Sequence, residues 1–432
     1  MATDVVKQTG RWLPEDQVFL ARWLDDLIEQ TEEEQRTGEA SGHAKVVKDF
    51  EKFVYANPEV YVLFTDMFEQ LSLKETPTGY PQVKSFKQML HLLDAIIRTT
   101  PEFIPPGSSN SAGLIGFPIN VILNWAMGTQ AGFAAFLNKD VNKQLKVVLN
   151  EWAKYLKSNK SKEELKRRKW LTPEALKAMA DPGKKFEDLF DCKPEDAYYG
   201  FTSWNDFFTR KIRKEAPDPR PIADGDNVVA SACEAFPYRL SEKVRLHRHF
   251  SIKGQPYSLA HLLDTAHRGT DEPKAEDYVD GTVYQGFLSA LAYHRWHSPV
   301  KGKIKACRQI PGAYYAEAPS SLCDPAAPDI SQGYISHVGT RVLIFIEADN
   351  KKLGTLCFVA IGMAEVSSCV LSVKPGDTVQ KGQELGMFQY GGSSHCLVFG
   401  PSVKLSFVPE AKKIDRDNPK VIKVNAKLAT LR

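Results

Sequence analysis

Apolar residues recur every three or four positions through the first third of the chain. Phe19, Leu20, Trp23, Leu24 and Leu27 share one helical face; Val60, Leu63, Phe64, Met67, Phe68 and Leu71 share a second; Val141, Leu145, Val148, Leu149, Trp152 and Leu156 share a third. Asn57-Pro58 supplies an N-cap and a first-turn proline ahead of the second stripe. These stripes are core faces and carry no chemistry of their own. Beyond Trp170 the pattern changes. Val342 to Ile346 and Cys357 to Ile361 are short, β-branched and aromatic runs suited to strands buried on both faces. The expectation is an α+β protein with a helical N-terminal domain over 1–165 and a mixed, strand-rich domain over 166–432. No long self-similar period is visible.

One stretch tests the soluble reading, because no charged residue occurs between Phe103 and Asn138. The apolar run from Leu114 to Met127 is broken by Gly116, Pro118, Asn120 and Asn124, and it falls short of the roughly 20 residues a membrane span needs. A buried helix pair is expected there, with peripheral membrane contact left open but not favoured. Lys157 to Lys169 carries seven basic and two acidic residues, a pattern suited to a solvated linker or helix surface and, alternatively, to phosphate or lipid head groups.

Composition changes the picture little. A chain of 432 residues exceeds one typical core, and a net charge of +3 points to no anionic partner, nucleic acid included. The residues after Met1 show neither an apolar signal core nor an Arg-rich transit pattern, so a cytoplasmic location is expected. Seven scattered cysteines without a Cys-x-x-Cys pair read as reduced core residues. His247-Arg248-His249 lacks further ligands at diagnostic spacing, and no metal site is expected.

Chemistry is most legible at Phe388 to Cys396, where Gly391-Gly392 stands directly before Ser393. A peptide without a Cβ can bend so that the next hydroxyl reaches the preceding carbonyl. Attack of Ser393 on the Gly392 carbonyl would turn an amide into an ester, and elimination from that ester would leave a pyruvoyl group. A plain hairpin turn is the alternative reading of Gly-Gly-Ser-Ser. A second cluster, Tyr293-His294-Arg295-Trp296-His297-Ser298-Pro299, supplies histidines whose ordinary pKa suits proton transfer near neutrality.

Together the two clusters resemble the phosphatidylserine decarboxylase family of pyruvoyl enzymes. Three further segments match in order: Ser203 to Lys211 with Arg220-Pro221-Ile222; Ile252-Lys253-Gly254 with Tyr257-Ser258-Leu259; and Lys381-Gly382 with Glu384-Leu385-Gly386. The resemblance spans Phe201 to the C-terminus and implies a barrel- or sandwich-like catalytic core. Val373 to Gly382 likewise resembles the tight hairpins of biotinyl- and lipoyl-type barrels, but has no lysine placed for a swinging arm. The resemblance to the decarboxylase family implies cleavage into a large piece, 1–392, and a small piece, 393–432, held together, with a covalent pyruvoyl cofactor from Ser393. It maps the processing base onto His297 and the carboxylate that orients it onto Glu234, in Ser231-Ala232-Cys233-Glu234-Ala235, where the family carries aspartate followed by glycine. His294 becomes the candidate for protonating the substrate carbon after loss of carbon dioxide. Ser394, His395, Tyr293 and Arg295 become candidate contacts to substrate or intermediate, Ser394 standing where the family has threonine.

With its helical N-terminal part, Gly-Gly-Ser-Ser and Cys-Glu at the aspartate position, the chain is most similar to the soluble fungal branch of aromatic amino acid decarboxylases. That implies a free L-amino acid as the small-molecule substrate, tryptophan first, then phenylalanine or tyrosine. Three alternatives stay open: a phosphatidylserine decarboxylase, a serine hydrolase using Ser393, His297 and Glu234, and a binding module with vestigial processing residues.

Overall fold

The computed structural model describes residues 17–38, 42–72, 76, 78–104, 113–247, 257–317, 331–365, 368–390, 393–412 and 420–432. Gly391-Gly392, Ile252-Lys253-Gly254, Arg248-His249 and Cys323 lie outside the described residues.

Among the described residues seven helices occupy the first part: α1 (Gln17–Thr37), α2 (Lys45–Ala56), α3 (Pro58–Ser72), α4 (Phe86–Ile96), α5 (Pro118–Met127), α6 (Gln130–Leu137) and α7 (Lys139–Lys157). The stripes read from sequence are their buried faces, as with Leu20 and Leu24 on α1 and Leu145, Leu149, Trp152 and Leu156 on α7. Asn57 stands at the N-cap position expected of it, directly before Pro58. Its side-chain amide donates back to the Phe53 carbonyl, and its backbone carbonyl, not its side chain, accepts from Tyr61 N–H at 2.8 Å. The uncharged stretch folds into α5 and α6, packed closely because α6 carries Gly132: a Cβ there would stand 1.9 Å from the Ala126 carbonyl oxygen. Among the described residues no helix is long and apolar enough to cross a membrane. The basic run ends α7 and continues through a 3-10 turn and a short helix, where Lys162 and Lys166 lie over the Tyr198 ring and Arg168 pairs with Glu102.

The strands pair antiparallel. After a hairpin of β1 (Glu102–Ile104) and β2 (Gly113–Ile115) come β3 (Val228–Ala230), β4 (Phe236–Glu242), β5 (Thr282–Leu288), β6 (Arg295–His297), β7 (Gly302–Ile310), β8 (Arg341–Ala348) and β9 (Thr355–Gly362). They are followed by β10 (Ser368–Leu371), β11 (Thr378–Val379), β12 (Glu384–Gln389), β13 (Ser393–Phe399), β14 (Leu405–Phe407) and β15 (Lys427–Leu431). One seven-stranded sheet has the order β11-β7-β8-β9-β13-β5-β4, and two three-stranded sheets have the orders β10-β12-β6 and β14-β15-β3.

The large sheet divides the interior in two. Leu343, Phe345, Cys357, Val359, Ile361, Cys396 and Val398 join the helices in one core; Val342, Ile344, Ile346, Leu356, Phe358, Ala360, Leu397 and Phe399 form a second core on the opposite face. Both faces are therefore covered, which is why these strands read as continuous apolar runs in an antiparallel setting. Truncating Phe345 or Leu343 to alanine would cost about 2–5 kcal/mol. A loop after β9 ties sheet to helices: the fully buried Glu365 carboxyl accepts the Asn120 N–H at 2.7 Å, in the first turn of α5.

Candidate active site

Ser393 is the first residue of β13, an interior strand. It lies opposite Leu288 of β5 and Gly362 of β9, so register on both sides fixes its place. The residue is 1% exposed, and its Oγ has no hydrogen-bond partner among the described residues. Leaving a buried hydroxyl unpaired is costly, and functional sites are where such costs are found.

Its neighbours diverge. Ser394 Oγ accepts from Gln285 Nε2 at 3.0 Å, and the Gln285 carbonyl oxygen accepts from the Tyr257 hydroxyl. His395 stands between Phe358 and Tyr284, with ring centroids 5.9 Å from each. Burial pushes its pKa down to about 3, so it is a neutral ring at working pH. A Cβ on its cross-strand neighbour Gly286 would come within 2.7 Å of the ring.

The histidine cluster splits into two environments. His297 Nδ1 lies 2.7 Å from the Gly382 carbonyl oxygen and Nε2 lies 2.8 Å from the Tyr293 hydroxyl. A carbonyl only accepts, so Nδ1 carries the proton and Nε2 keeps its lone pair, toward which the Tyr293 O–H points. Burial holds the His297 pKa below its ordinary value, the Gly382 carbonyl and the Glu384 charge offset this, and Arg295 adds to it. His294 is fully buried and stacked on Phe208 at 4.0 Å, with neither ring nitrogen hydrogen-bonded by the described residues. Burial and then the Arg210 guanidinium push its pKa well down, opposed by the Ser289 backbone. Arg210 Nη2 donates to the Leu291 and Ala292 carbonyls at 2.7 and 3.1 Å, fixing the loop that leads into Tyr293 and His294.

Arg295 is committed on two sides, Nε to the Thr209 carbonyl and Nη1 to Glu384, each at 2.8 Å. Glu234 does not meet His297. Its carboxylate takes Arg220 Nε at 2.6 Å and Nη2 at 2.9 Å, with Lys423 at 3.1 Å, and Arg220 also clamps Asp181. The structure thus joins Tyr293 to His297, Arg295 to Glu384 and Ser394 to Gln285. It does not assemble a hydrogen-bonded Ser393–His297–Glu234 chain, because both His297 nitrogens and the Glu234 carboxylate are engaged elsewhere.

Sequence reasoning passed over Phe208, Arg210, Tyr390 and Gln285 as site residues. The first two sit inside the Trp204-to-Lys211 segment already singled out, whereas Tyr390, whose hydroxyl donates to Asn205 Oδ1 at 2.7 Å, immediately precedes the glycines. Gln285 gave no local signal. Among the described residues no group of three or more His, Cys, Asp or Glu could hold a metal ion.

A buried hydroxyl without a partner among the described residues, one hydrogen-bonded imidazole and one buried imidazole are groups suited to proton-transfer chemistry. Comparison with known proteins narrows the class. Residues 204–423 and 44–179 match two family descriptions, both of them phosphatidylserine decarboxylase. The L-tryptophan decarboxylases of Psilocybe cyanescens and Psilocybe cubensis are 34% and 33% identical, over 98% and 89% of this chain and 94% and 87% of theirs. The decarboxylase iboD of Amanita muscaria is 37% identical over 73% of this chain and 94% of its own. The chain belongs to the phosphatidylserine decarboxylase family, on the branch holding these fungal proteins, and is a decarboxylase.

Proposed function

We propose that the chain cleaves itself between Gly392 and Ser393 and then decarboxylates a free aromatic L-amino acid, tryptophan foremost, to the arylalkylamine and carbon dioxide. The observation carrying this reading is the buried Ser393 Oγ, without a partner among the described residues and held at the start of an interior strand, in a sequence where two glycines precede it. Oγ attacks the Gly392 carbonyl carbon, the peptide C–N bond breaks, and the chain is joined by an ester with a free amine on residue 393. Loss of the Cα proton expels the Gly392 carboxylate; water then replaces the nitrogen, which leaves as ammonia. His297 is the base for these proton removals once Tyr293, whose hydroxyl holds the Nε2 lone pair at rest, releases it. His294 holds the proton returned to the substrate carbon.

The residues present fit a pyruvoyl group: the carbon skeleton of Ser393 would be its source, with Oγ leaving on the Gly392 carboxylate, and the buried Oγ, without a partner among the described residues, marks where the backbone would be attacked. When formed, that ketone supplies an electron sink for the bond to the departing carboxylate. Gln285 and Ser394 hold the strand beneath it. Arg295, already doubly engaged, contributes to the site through Glu384 and Thr209.

The reading includes a two-part organisation, with a helical domain over 1–165 and a catalytic, barrel-like domain over 166–432. The pieces 1–392 and 393–432 stay together, since β13 is paired on both sides and β15 pairs with β3. The proposed setting is the cytoplasm. Carbon dioxide release from tryptophan, phenylalanine, tyrosine and phosphatidylserine vesicles tests the substrate. Fastest release from tryptophan is expected; preference for vesicles would overturn it.

A further inference from the structure

We propose that Glu384, and not Glu234, is the positioning carboxylate of His297, with Arg295 as its tether. This rests on the self-processing reading above. Glu384 and His297 are direct partners across β12 and β6, and such partners hold their Cβ atoms about 5 Å apart on one face of a sheet. Arg295, two residues before His297, shares that face. Its Nη1 reaches Glu384 Oε1 at 2.8 Å, and the Ser372 hydroxyl donates to the same oxygen at 3.2 Å. Two donors therefore hold the carboxylate against the strand that carries the base. Glu234, by contrast, is saturated by Arg220 and Lys423.

The groups facing His297 are the Tyr293 hydroxyl, the Gly382 carbonyl, the Arg295 guanidinium and Glu384. Glu234 and Arg210 act one shell further out, on Tyr293. Glu384 favours the protonated imidazole and Arg295 opposes it. At rest burial, with Arg295, keeps the imidazole neutral against the pull of the Gly382 carbonyl and Glu384. When His297 takes the Ser393 proton, the new positive charge is met by a carboxylate already in place.

The test follows fragment appearance on denaturing gels from pH 5.5 to 8.5 for the full chain and its Glu384→Gln, Glu384→Asp and Glu234→Gln variants. Glu384→Gln should slow cleavage about tenfold or more and move the acidic limb to lower pH, because a lost negative charge makes His297 easier to deprotonate. Glu384→Asp should restore most of the rate. Glu234→Gln should reduce the yield of folded chain and leave the limb where it is. The double variant Arg295→Met/Glu384→Leu removes the ion pair without stranding a charge, and should show the same slow cleavage even where Glu384→Gln misfolds. Wild-type rate and limb in Glu384→Gln or in the double variant would overturn the proposal, as would a limb that moves only in Glu234→Gln. A wild-type chain that stays whole at every pH would instead overturn the self-processing reading itself.

Discussion

His294 and His297 are three residues apart, yet they live in different media. His297 is wired through both nitrogens, to Gly382 and Tyr293, with Glu384 and Arg295 close by. His294 lies flat against Phe208, fully buried, with the Ser289 backbone as a weak polar neighbour. Wiring fixes a tautomer and leaves a lone pair aimed in a set direction, which suits a base. Burial keeps the His294 imidazole neutral at rest, so a proton it delivers to carbon is one it has first taken up. The contrast teaches that role follows surroundings, since the two residue types are identical.

Exchanging the histidines breaks the comparison most severely. His297→Gln should slow chain cleavage by about 10²–10⁴-fold, the usual worth of a positioned base. His294→Gln should cleave normally and lose amine production by about 100-fold or more. Fragment yield on gels and amine release, measured on both variants, check the pair; the reverse pattern would exchange the roles. The pH dependence has a definite sign. Because His297 is held below its ordinary value near 6.5, cleavage should be flat above neutrality and fall on acidification below that value.

A third environment sharpens the contrast, because Glu234 is wired to charges only. Arg220→Met strands Glu234 and Asp181 beside Lys423 and should lower stability by about 3–5 kcal/mol, read by denaturant unfolding. Any chain that folds should keep the pH limb of cleavage. A shifted limb would bring the Glu234 cluster back into the chemistry.

Glu365 extends the buried side of the comparison to a carboxyl. Burial pushes its pKa up to about 8, against 4.5 when unperturbed, with the Asn120, Glu365 and Ile119 backbone amides pulling the other way. Between those values the native chain holds a proton that the unfolded chain has lost, so stability falls as pH rises through that window. Glu365→Gln removes this dependence. Its stability relative to wild type should improve from pH 5 to pH 8, and an unchanged difference in denaturant melts at the two pH values would contradict the assignment.

Much of this was legible in the chain. The stripes of α1, α3 and α7, the strands β8 and β9 and the α5–α6 pair follow from apolar spacing, and the position of Ser393 follows from the glycines before it. The orienting carboxylate was not legible. Glu234 looks free in sequence because Arg220, Asp181 and Lys423 reach it from separate segments. Glu384 gains His297 only through strand pairing and a register shift between Glu384 and Gly386. His395 reads as polar next to a candidate nucleophile, but alternation along β13 turns it into the core that holds Phe358 and Tyr284.

Everything proposed about the chemistry depends on a break in the backbone. Intact-mass measurement of freshly purified wild-type protein, with and without borohydride, tests it directly. The expected result is two species, 1–392 and 393–432, the smaller one bearing a reducible ketone at its first residue. One full-length species that still releases amines, and gains nothing from borohydride, would contradict the account.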